Sequence, residues 1–427
     1  MTERRQAISV PLAVAKVTGS VRALPPESVP VEQAYGRILA ENLYADADIP
    51  SFDRSAFDGY ALAAKDTESA CPDRPLEFEI VERIAAGQVG TKAVGPFQAV
   101  QIMTGAPLPP GCDAVVMREW TQEYVREGKA WVVLKRAMRV RDNVSLRGEE
   151  AKQGDLLVGK GTVIHPGIAA VLASLGMTEA KIGRRPVVGV MATGSELLQP
   201  GEPVRPGRIR NSNAAMLAAQ IERAGGECRY YGQVPDELEP HLATYRRMLA
   251  ECDLIVSTGG VSVGDYDLMP RVYATLGAAL LFDKVTMRPG SVTTAAQLDG
   301  KLLLGLSGNP SACYVGFELF ARPAIRLMQG AEAPFAPLIE GELLADYPKP
   351  NPFTRFVRAR IVYRDGKVGG VPVGFDKSSS LTSLAEANGF IVLPGGSRGY
   401  KSGDRVKLML VDDRDGAEWP WGDDGDG

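Results

Sequence analysis

Residues 257–267 have the sequence S-T-G-G-V-S-V-G-D-Y-D and follow the apolar run L-I-V at 254–256. Glycines let a ligand approach the backbone closely, and consecutive backbone N–H groups can then form an anion-binding concavity. Asp265 and Asp267 add the oxygen ligands that Mg²⁺ takes beside phosphate. The segment therefore predicts a site for a phosphorylated small molecule and a divalent cation, and the alternative is a glycine-rich turn with surface acids. The predicted ligand-binding residues of this segment are Gly259, Gly260, Ser262 and Gly264.

Two further strings, T-G-S-E at 193–196 and L-S-G-N-P at 306–310, also follow segments that are predicted as strands. In the second string, Asn309-Pro310 opens a predicted helix, and the exposed N–H groups there would bind an anion next to Gly308. Strands and helices alternate over residues 186–329, which predicts a mostly parallel sheet with helices on both faces. Because ligands bind beyond the carboxyl ends of such strands, we expect the three loops to meet at one edge of the sheet.

The remaining segments predict the elements that surround this sheet. An N-terminal amphipathic helix is predicted after Ser9, which would cap it, and a second helix is predicted around residues 31–43. Within the α/β segment, Ser212 or Asn213 is predicted to cap a helix. The predicted segments are the N-terminal segment (residues 1–51) and a mixed segment (residues 150–185), the β-rich insert 52–149, the α/β segment 186–329, a β unit 330–413, and an acidic tail 414–427 that we expect to be disordered.

The composition restricts the classes of function. A net charge of −4 over 427 residues argues against bulk nucleic-acid binding, which requires a basic surface. The five scattered cysteines suggest reduced thiols, and no apolar run approaches the ~20 residues of a membrane span, so we expect a cytoplasmic protein that does not enter a membrane. His165 and His241 are the only histidines, too few for a typical zinc site, and we interpret both as structural.

Over about residues 10–411 the chain resembles the molybdopterin molybdenumtransferase family, which includes the E domain of gephyrin. The family implies a multidomain α/β and β protomer: an α/β domain similar to other molybdopterin-binding proteins, a β-rich insert, a linking domain formed here by 1–51 and 150–185, and a C-terminal β-barrel. It also implies a homodimer in which both chains build each site. The resemblance rests on S-A-F-D-G-Y-A (55–61), T-G-A-P-L-P-P-G-C-D-A-V-V (104–116), T-G-S-E-L (193–197), G-G-V-S-V-G-D-Y-D (259–267) and G-N-P (308–310).

The resemblance implies a reaction of adenylylated molybdopterin with molybdate, in which the adenylate is cleaved, AMP is released and molybdenum is placed on the pterin dithiolene. In this reaction the sulfurs of the pterin bind the molybdenum, so the chain needs no motif of its own to bind that metal. Several carboxylates close to a pyrophosphate require a bridging cation, since like charges would otherwise repel, and Mg²⁺ is the cofactor that this implies.

The same resemblance assigns roles to residues in two regions of the chain. On the insert side it implies Asp58 and Thr104 as catalytic residues, and Arg147 and Glu150 of L-R-G-E-E (146–150) as substrate-binding residues, with Glu150 in place of the family's Asp. Without the family, Asp58 is equally well a turn-forming Asp-Gly pair, and Glu196 a first-turn helix residue. On the α/β side the implied catalytic residues are Glu196 and Asp236, and the implied metal ligands are Asp265, Asp267 and Glu196.

Two stretches depart from the family pattern. In K-V-T-M-R-P-G-S-V at 284–292, Lys284 is retained, whereas Arg288 and Ser291 each replace a lysine; all three are predicted to bind substrate. Arginine keeps the charge and adds a planar fork for phosphate. In T-G-S-E-L, Ser195 replaces an Asp. One cation and one anion are thus lost together, which would roughly preserve the neutrality of the site.

Other classes of function remain open at this point. One is a paralogous molybdopterin-binding or scaffold protein with weakened catalysis, against which the retained acids argue. Another is adenylylation of molybdopterin, against which the insert and the C-terminal β unit argue, because adenylylating relatives resemble only the α/β domain. Tungstate could replace molybdate, since the two oxyanions have nearly the same size and charge. The expected partners are the molybdopterin adenylyltransferase, the recipient molybdoenzymes and a second copy of the chain.

Overall fold

The computed structural model describes residues 6–260, 268–364 and 366–411. The chain divides into two compact units. The first comprises Met1–Glu41, Lys160–Ala169 and Glu179–Gly427, and the second comprises Asn42–Gly159 and Ala170–Thr178. This division leaves the finer domain boundaries predicted above untested. The predicted site residues Ser262, Gly264, Asp265 and Asp267 and the acidic tail 414–427 lie outside the described residues.

The first unit begins with helix α1 (Val10–Gly19), as the sequence predicts. Ser9 is its N-cap, and the Ser9 Oγ accepts a hydrogen bond from the backbone N–H of Leu12 at 3.4 Å. Pro11 lies in the first turn, where its missing N–H costs nothing. Strand β1 (Pro26–Pro30) follows.

The prediction of a helix around residues 31–43 is wrong. Only a short 3₁₀ turn, Val31–Gln33, forms there. Two apolar residues of this segment, Ile38 and Leu39, are buried and form antiparallel bridges with distant parts of the chain. Long-range pairing has therefore outweighed a weak local helical pattern.

The second unit is built on a six-stranded sheet. The strands of the whole unit are β2 (Leu43–Tyr44), β3 (Arg54–Ser55), β4 (Gly59–Leu62), β5 (Leu76–Ile84), β6 (Gln98–Ile102), β7 (Ala114–Met117), β8 (Thr121–Arg126), β9 (Lys129–Leu134), β10 (Val144–Ser145) and β11 (Leu156–Val158). The order in the sheet is β7-β4-β6-β5-β9-β8, with β5 and β6 parallel and the other neighbours antiparallel. The remaining strands pair as β3 with β10 and β2 with β11. Gly59, the first residue of β4, pairs with Ile102 at the end of β6 and with Met117 at the end of β7. Asp58, the residue before Gly59, therefore lies beside the segments that follow these two strands.

The α/β region of the first unit contains the second large sheet. From residue 166 to residue 328 the helices and strands are α2 (Pro166–Ser174), β12 (Glu179–Gly183), β13 (Val187–Thr193), β14 (Leu197–Leu198), β15 (Ile209–Arg210), α3 (Ser212–Arg223), β16 (Glu227–Val234), α4 (Leu238–Glu251), β17 (Leu254–Thr258), α5 (Met269–Leu276), β18 (Ala279–Phe282), β19 (Met287–Arg288), β20 (Thr294–Leu298), β21 (Lys301–Leu306), α6 (Pro310–Gly316) and α7 (Arg322–Met328). The sheet order is β16-β13-β17-β21-β20-β18; the first four strands are parallel and the last two antiparallel. β12 pairs with β1.

Both faces of this sheet are covered, as the alternating strands and helices predict. Along β17, Leu254 and Val256 belong to the core cluster that includes α3 and α7, whereas Ile255 belongs to the cluster that includes α4 and α5. The strand is therefore apolar on both sides, which explains its continuous L-I-V run. The carboxyl ends of β13, β17 and β21 consequently open at one edge of the sheet, between the two helical layers.

The C-terminal region of the first unit is a closed five-stranded barrel. Its elements are β22 (Leu338–Leu343), β23 (Thr354–Arg364), β24 (Lys367–Pro372), α8 (Thr382–Glu386), β25 (Gly389–Leu393) and β26 (Arg405–Leu410). The strands close in the order β23-β24-β22-β26-β25-β23, and β19 adds to β23 in parallel. The predicted C-terminal β-barrel and the mostly parallel α/β sheet are thus confirmed.

None of the helices formed by residues 6–260, 268–364 and 366–411 combines the length and the apolar character needed to span a membrane.

Candidate functional site

Three loops meet at the carboxyl edge of the parallel sheet, and glycines bring their backbones into contact. Gly259 has φ +91°, and a Cβ on this residue would lie 2.5 Å from the carbonyl oxygen of Thr193. A Cβ on Gly308 would lie 3.5 Å from the Cα of Gly259, whose N–H donates to the carbonyl oxygen of Leu306 at 3.1 Å. Glycine at 259 is therefore required both for the backbone angle and for the close approach of the loops.

A cleft of about 610 Å³ opens between these loops. Its volume lies within the roughly 300–1,000 Å³ typical of small-molecule sites. Thr193 and Ser307 line it at the ends of β13 and β21. The predicted site residues that line it are Glu196, Asp236, Gly259, Gly260, Gly308, Asn309 and Pro310. The structure therefore brings together most of the predicted α/β-side residues that it describes, while their roles stay predictions.

The donor set of the cleft fits a magnesium ion that also binds phosphate. Glu196 and Asp236 both line the cleft, and both are exposed. Among the described residues, no group of three or more His, Cys, Asp or Glu side chains is placed to hold a metal ion. Mg²⁺ commonly uses one or two protein carboxylates and completes its octahedron with water and substrate phosphates. Two carboxylates on the rim are consistent with that pattern, and the further acids Asp265 and Asp267 lie outside the described residues.

The helix cap beside the cleft differs from the prediction, which named Ser212 or Asn213. The N-cap of α3 is Asn211, whose Oδ1 accepts a hydrogen bond from the backbone N–H of Ala214 at 3.1 Å. The two predicted cap residues lie one and two positions after the observed cap. β15 ends at Arg210, so the chain enters the helix earlier than predicted. Asn213 is thereby left free of the capping role and lines the cleft instead.

Arg210 is a cleft residue that the sequence analysis missed. Its Nε and Nη2 both donate to the backbone carbonyl of Glu202, each at 3.1 Å, which holds the guanidinium against its own loop. The signal that could have revealed it is the string R-I-R-N-S-N at 208–213, a short strand running directly into a helix that begins at the ligand edge.

In the second unit, Asp58 and Thr104 are hydrogen-bonded to each other. The backbone N–H and the Oγ1 hydroxyl of Thr104 both donate to Asp58 Oδ1 at 2.7 Å. These two hydrogen bonds, and the charge of Arg118, hold the pKa of Asp58 below its usual value. Gly59 permits this arrangement, because a Cβ there would lie 2.0 Å from the carbonyl oxygen of Val116. Arg118 was not identified from the sequence; it follows β7, and its backbone N–H donates to the Asp58 carbonyl at 3.0 Å.

Arg147 and Glu150 lie on an exposed turn of the same unit. The Arg147 Nε donates to Asp48 Oδ2 at 2.6 Å, and its backbone N–H donates to Asp53 Oδ1 at 2.7 Å. A hydrogen bond from the backbone N–H of Gln153, followed by the one from Arg147, lowers the pKa of Asp48. Arg147 is thus held in place by an ion pair, while Glu150 is exposed.

Lys284, Arg288 and Ser291 do not line the cleft. The carbonyl oxygen of Ser291 accepts a hydrogen bond from the Val285 N–H at 2.9 Å, which closes a tight loop between them. Arg288 is exposed at the end of β19, next to the barrel strand β23, and its guanidinium carbon lies 5.8 Å from the ring centre of Phe353. Their predicted role in anion binding therefore concerns the barrel side of the unit.

A charged cluster in the barrel was also missed by the sequence analysis. Asp376 lies 3.1 Å from Arg355 and 3.6 Å from the buried Arg358, whose Nη1 has no hydrogen-bond partner among the described residues. Burial raises the pKa of Asp376, but hydrogen bonds from Tyr347 and Lys349 outweigh it and the net pKa is lowered. Arg355 and Arg358 come from β23, Asp376 comes from the loop after its neighbour β24, and Tyr347 and Lys349 come from the segment between β22 and β23.

The loop that follows this cluster contacts the helix that begins at the cleft. The backbone N–H of Ser311, the second residue of α6, donates to the carbonyl oxygen of Ser378 at 3.1 Å, and its hydroxyl donates to the carbonyl oxygen of Ser380. The barrel is thereby connected to the G-N-P loop through Ser311, which is fully buried.

The two histidines are both placed outside the cleft. His241 is fully buried on α4, and its Nδ1 lies 2.8 Å from the carbonyl oxygen of Glu237. Burial lowers the pKa of His241. His165 is exposed, and its Nδ1 accepts the backbone N–H of Gly167 at 3.1 Å. These contacts agree with the structural interpretation of both residues.

The fold and the cleft define a multidomain enzyme whose α/β domain is of the molybdopterin-binding type. The family model "Probable molybdopterin binding domain" matches residues 189–327. Residues 8–176 match "MoeA N-terminal region (domain I and II)", and residues 340–411 match "MoeA C-terminal region (domain IV)".

Relatives agree with these matches over the whole chain. The chain is 50% identical over 421 residues to the molybdopterin molybdenumtransferase of Bacillus subtilis (strain 168), covering 99% of this chain and 98% of that protein. It is 43% identical over 412 residues to that of Staphylococcus aureus (strain COL), covering 96% and 97%. The crystal structure of the molybdopterin biosynthesis moeA protein from Pyrococcus horikoshii OT3 superposes with a TM-score of 0.81 at 30% identity, covering 95% of this chain and all of the other. The chain belongs to the molybdopterin molybdenumtransferase family and is a transferase of molybdenum cofactor biosynthesis.

Proposed function

We propose that this transferase inserts molybdenum from molybdate into adenylylated molybdopterin, with cleavage of the adenylate and release of AMP. The observation that supports it best is the cleft itself. The glycine loops, the start of α3 and the carboxylate residues Glu196 and Asp236 all line it. Such a cleft suits a pyrophosphate that is bound together with a divalent cation.

The residues of the cleft would divide the work between binding and charge control. The N–H groups of Gly260 and Gly308 would bind the phosphates, and Arg210 adds a positive charge at the rim. Glu196 and Asp236 would hold Mg²⁺, which supplies neutralisation of the negative charge that develops on the phosphates. This is electrostatic stabilisation by groups that are already in position, often the largest contribution to catalysis.

The second unit would contribute the remaining catalytic groups. Asp58 is held as an anion by Thr104, so it can orient a donor or a cation at the reacting phosphate. We propose a homodimer in which Asp58 and Thr104 of one chain complete the cleft of the other. We further propose a cytoplasmic location, with the molybdopterin adenylyltransferase and recipient molybdoenzymes as partners.

The test is incubation of the protein with adenylylated molybdopterin, Mg²⁺ and molybdate, while AMP release and cofactor formation are followed together. Stoichiometric AMP and cofactor support the proposal. Tight binding of adenylylated molybdopterin without AMP release would instead support a scaffold role. Parallel reactions with tungstate measure the choice of oxyanion, and a Glu196→Gln protein with unchanged thermal stability is the matched control for background hydrolysis.

A further inference from the structure

Asn213, the second residue of α3, connects two of the three loops that form the cleft. Its Nδ2 donates to the Thr258 Oγ1 at 2.8 Å and to the carbonyl oxygen of Gly308 at 2.9 Å. Thr258 ends β17 just before the glycine loop, and Gly308 begins the G-N-P string. One amide group therefore adds a cross-link between these two loops, beside the hydrogen bonds from the Gly259 N–H to Leu306 and from the Thr258 hydroxyl to Ser307.

The orientation of this amide is determined by its partners. A side-chain amide has two N–H donors and one carbonyl acceptor, and the carbonyl of Gly308 can only accept. The Thr258 hydroxyl already donates to the carbonyl oxygen of Ser307 at 3.1 Å, so towards Asn213 it too can only accept. Both hydrogens of Nδ2 are thus used, and a flipped amide would lose both bonds.

The remaining atom of the amide shows that the arrangement is costly. Asn213 is only 7% exposed, and its Oδ1 is buried and has no hydrogen-bond partner among the residues that the structure describes. A buried acceptor without a partner destabilises the fold. The start of the helix does not require this residue either, because Asn211 is the cap. The amide is therefore placed at a cost to stability, and its benefit lies elsewhere.

We propose that Asn213 is a positioning residue that holds the glycine loop and the G-N-P loop at the separation needed to bind the phosphates of the ligand. The proposal rests on the function proposed above for this cleft. It differs from a contact role, since Asn213 acts by positioning the loops that carry the backbone N–H groups of Gly260 and Gly308. Loss of the amide leaves the fold intact and lets the two loops move apart.

The same helix offers a matched control, Gln220, two turns further along. Its Nε2 also donates twice, to Glu318 Oε1 at 2.7 Å and to the carbonyl oxygen of Tyr314 at 3.4 Å. Its Oε1 is also buried, with no partner in the described part of the chain. Gln220 does not line the cleft. A purely structural role for Asn213 predicts that both residues behave alike when they are replaced.

The experiment compares Asn213→Leu, Asn213→Asp and Gln220→Leu with wild type. Calorimetry with inorganic pyrophosphate and Mg²⁺ measures the Kd, thermal melting measures stability, and AMP release gives kcat and KM. We expect both Asn213 variants to bind pyrophosphate at least about tenfold more weakly, with a small change in Tm for Asn213→Leu, because Gly308 is exposed and water can replace the lost donor. Gln220→Leu should lower the Tm and leave the Kd unchanged.

Three results overturn the proposal: a wild-type Kd in Asn213→Asp, a Kd change in Gln220→Leu equal to that in Asn213→Leu, or no pyrophosphate binding by wild type. The proposed function fails separately. If wild type binds pyrophosphate and the Asn213 variants do not, but no AMP is released from adenylylated molybdopterin, then the positioning role stands and the reaction is a different one.

Discussion

Thr104 donates two hydrogen bonds to the same oxygen of Asp58, one from its backbone N–H and one from its hydroxyl, each 2.7 Å long. The two residues are 46 positions apart in the sequence, and they lie close together because β4 and β6 are antiparallel neighbours in the sheet. Both bonds favour the ionised carboxylate and lower its pKa. Both Thr104 donors bond to Oδ1, so neither of them occupies the other carboxylate oxygen of Asp58.

The first prediction concerns this pair. Asp58→Ala should reduce the rate of AMP release by ~10²-fold or more while the protein stays folded, because a group that acts mainly in the transition state is lost. Thr104→Val, which keeps the backbone bond and removes the hydroxyl, should give a smaller loss, and Thr104→Ser should be close to wild type. Steady-state kinetics and melting curves measure both effects. Near wild-type turnover in a folded Asp58→Ala protein contradicts the assignment.

The second prediction concerns the dependence on Mg²⁺. Glu196→Gln should raise the Mg²⁺ concentration needed for half-maximal AMP release, because a ligand oxygen loses its charge but keeps its place. Ser195→Asp, which adds a carboxylate at the neighbouring exposed position, should lower that concentration. Titration of Mg²⁺ at saturating substrate separates the two. An identical Mg²⁺ dependence in wild type and Glu196→Gln removes Glu196 from the metal site.

Much of the α/β domain was predictable from the sequence, for a physical reason. The strands of a parallel sheet are buried on both faces, so they are continuous apolar runs, and the glycine strings that follow them mark backbone approaches that a side chain would block. The segment 254–260 shows both features. The convergence of the loops followed from topology alone, whereas the ligand roles of their residues remain predictions.

The features that were missed depend on contacts between distant residues. Asn213 donates a hydrogen bond to Gly308, 95 positions away. No local sequence pattern predicts which residue at the start of a helix will contact a distant loop. The expected helix around residues 31–43 failed for a related reason, since extended pairing buries Ile38 and Leu39 there. The ion pair of Arg358 with Asp376 joins β23 to the loop that follows β24, and no local sequence pattern marks that pairing.

The third prediction tests the composite site. A chain with Asp58→Ala and a chain with Glu196→Ala should each be inactive, and mixing them should restore some of the activity, because a mixed dimer contains one intact site. The matched control mixes Asp58→Ala with Thr104→Ala, whose lesions lie in the same unit and cannot complement. Activity is measured after the mixed dimers have been verified. A monomer by light scattering, or no complementation in verified mixed dimers, argues against the shared site.

The fourth prediction concerns the stability of the fold towards acid. Burial lowers the folded-state pKa of His241 below the ordinary value of 6.5. As the pH falls through the ordinary value, the unfolded chain binds a proton that the folded chain does not, so stability falls until the folded pKa is passed. Between about pH 7 and about pH 5, the Tm of wild type should fall more than that of His241→Gln. The exposed His165→Gln serves as control, and equal slopes for wild type and His241→Gln refute the prediction.

The fifth prediction concerns the positive charge beside the barrel. Arg288 is exposed, stands next to the ring of Phe353, and forms no ion pair with another described residue, so its charge is available to a ligand anion. A charge-assisted hydrogen bond to phosphate is worth roughly 1.5–3 kcal/mol, so Arg288→Ala should weaken the binding of adenylylated molybdopterin by on the order of tenfold to a hundredfold. Lys284→Ala should also weaken it, Arg288→Lys should retain some of the affinity, and Ser291→Lys should tighten binding. Because the site is open to solvent, the effect should shrink with added salt. Calorimetric titration at two ionic strengths measures these differences, and an unchanged affinity in Arg288→Ala would leave this arginine with its contact to Phe353 alone.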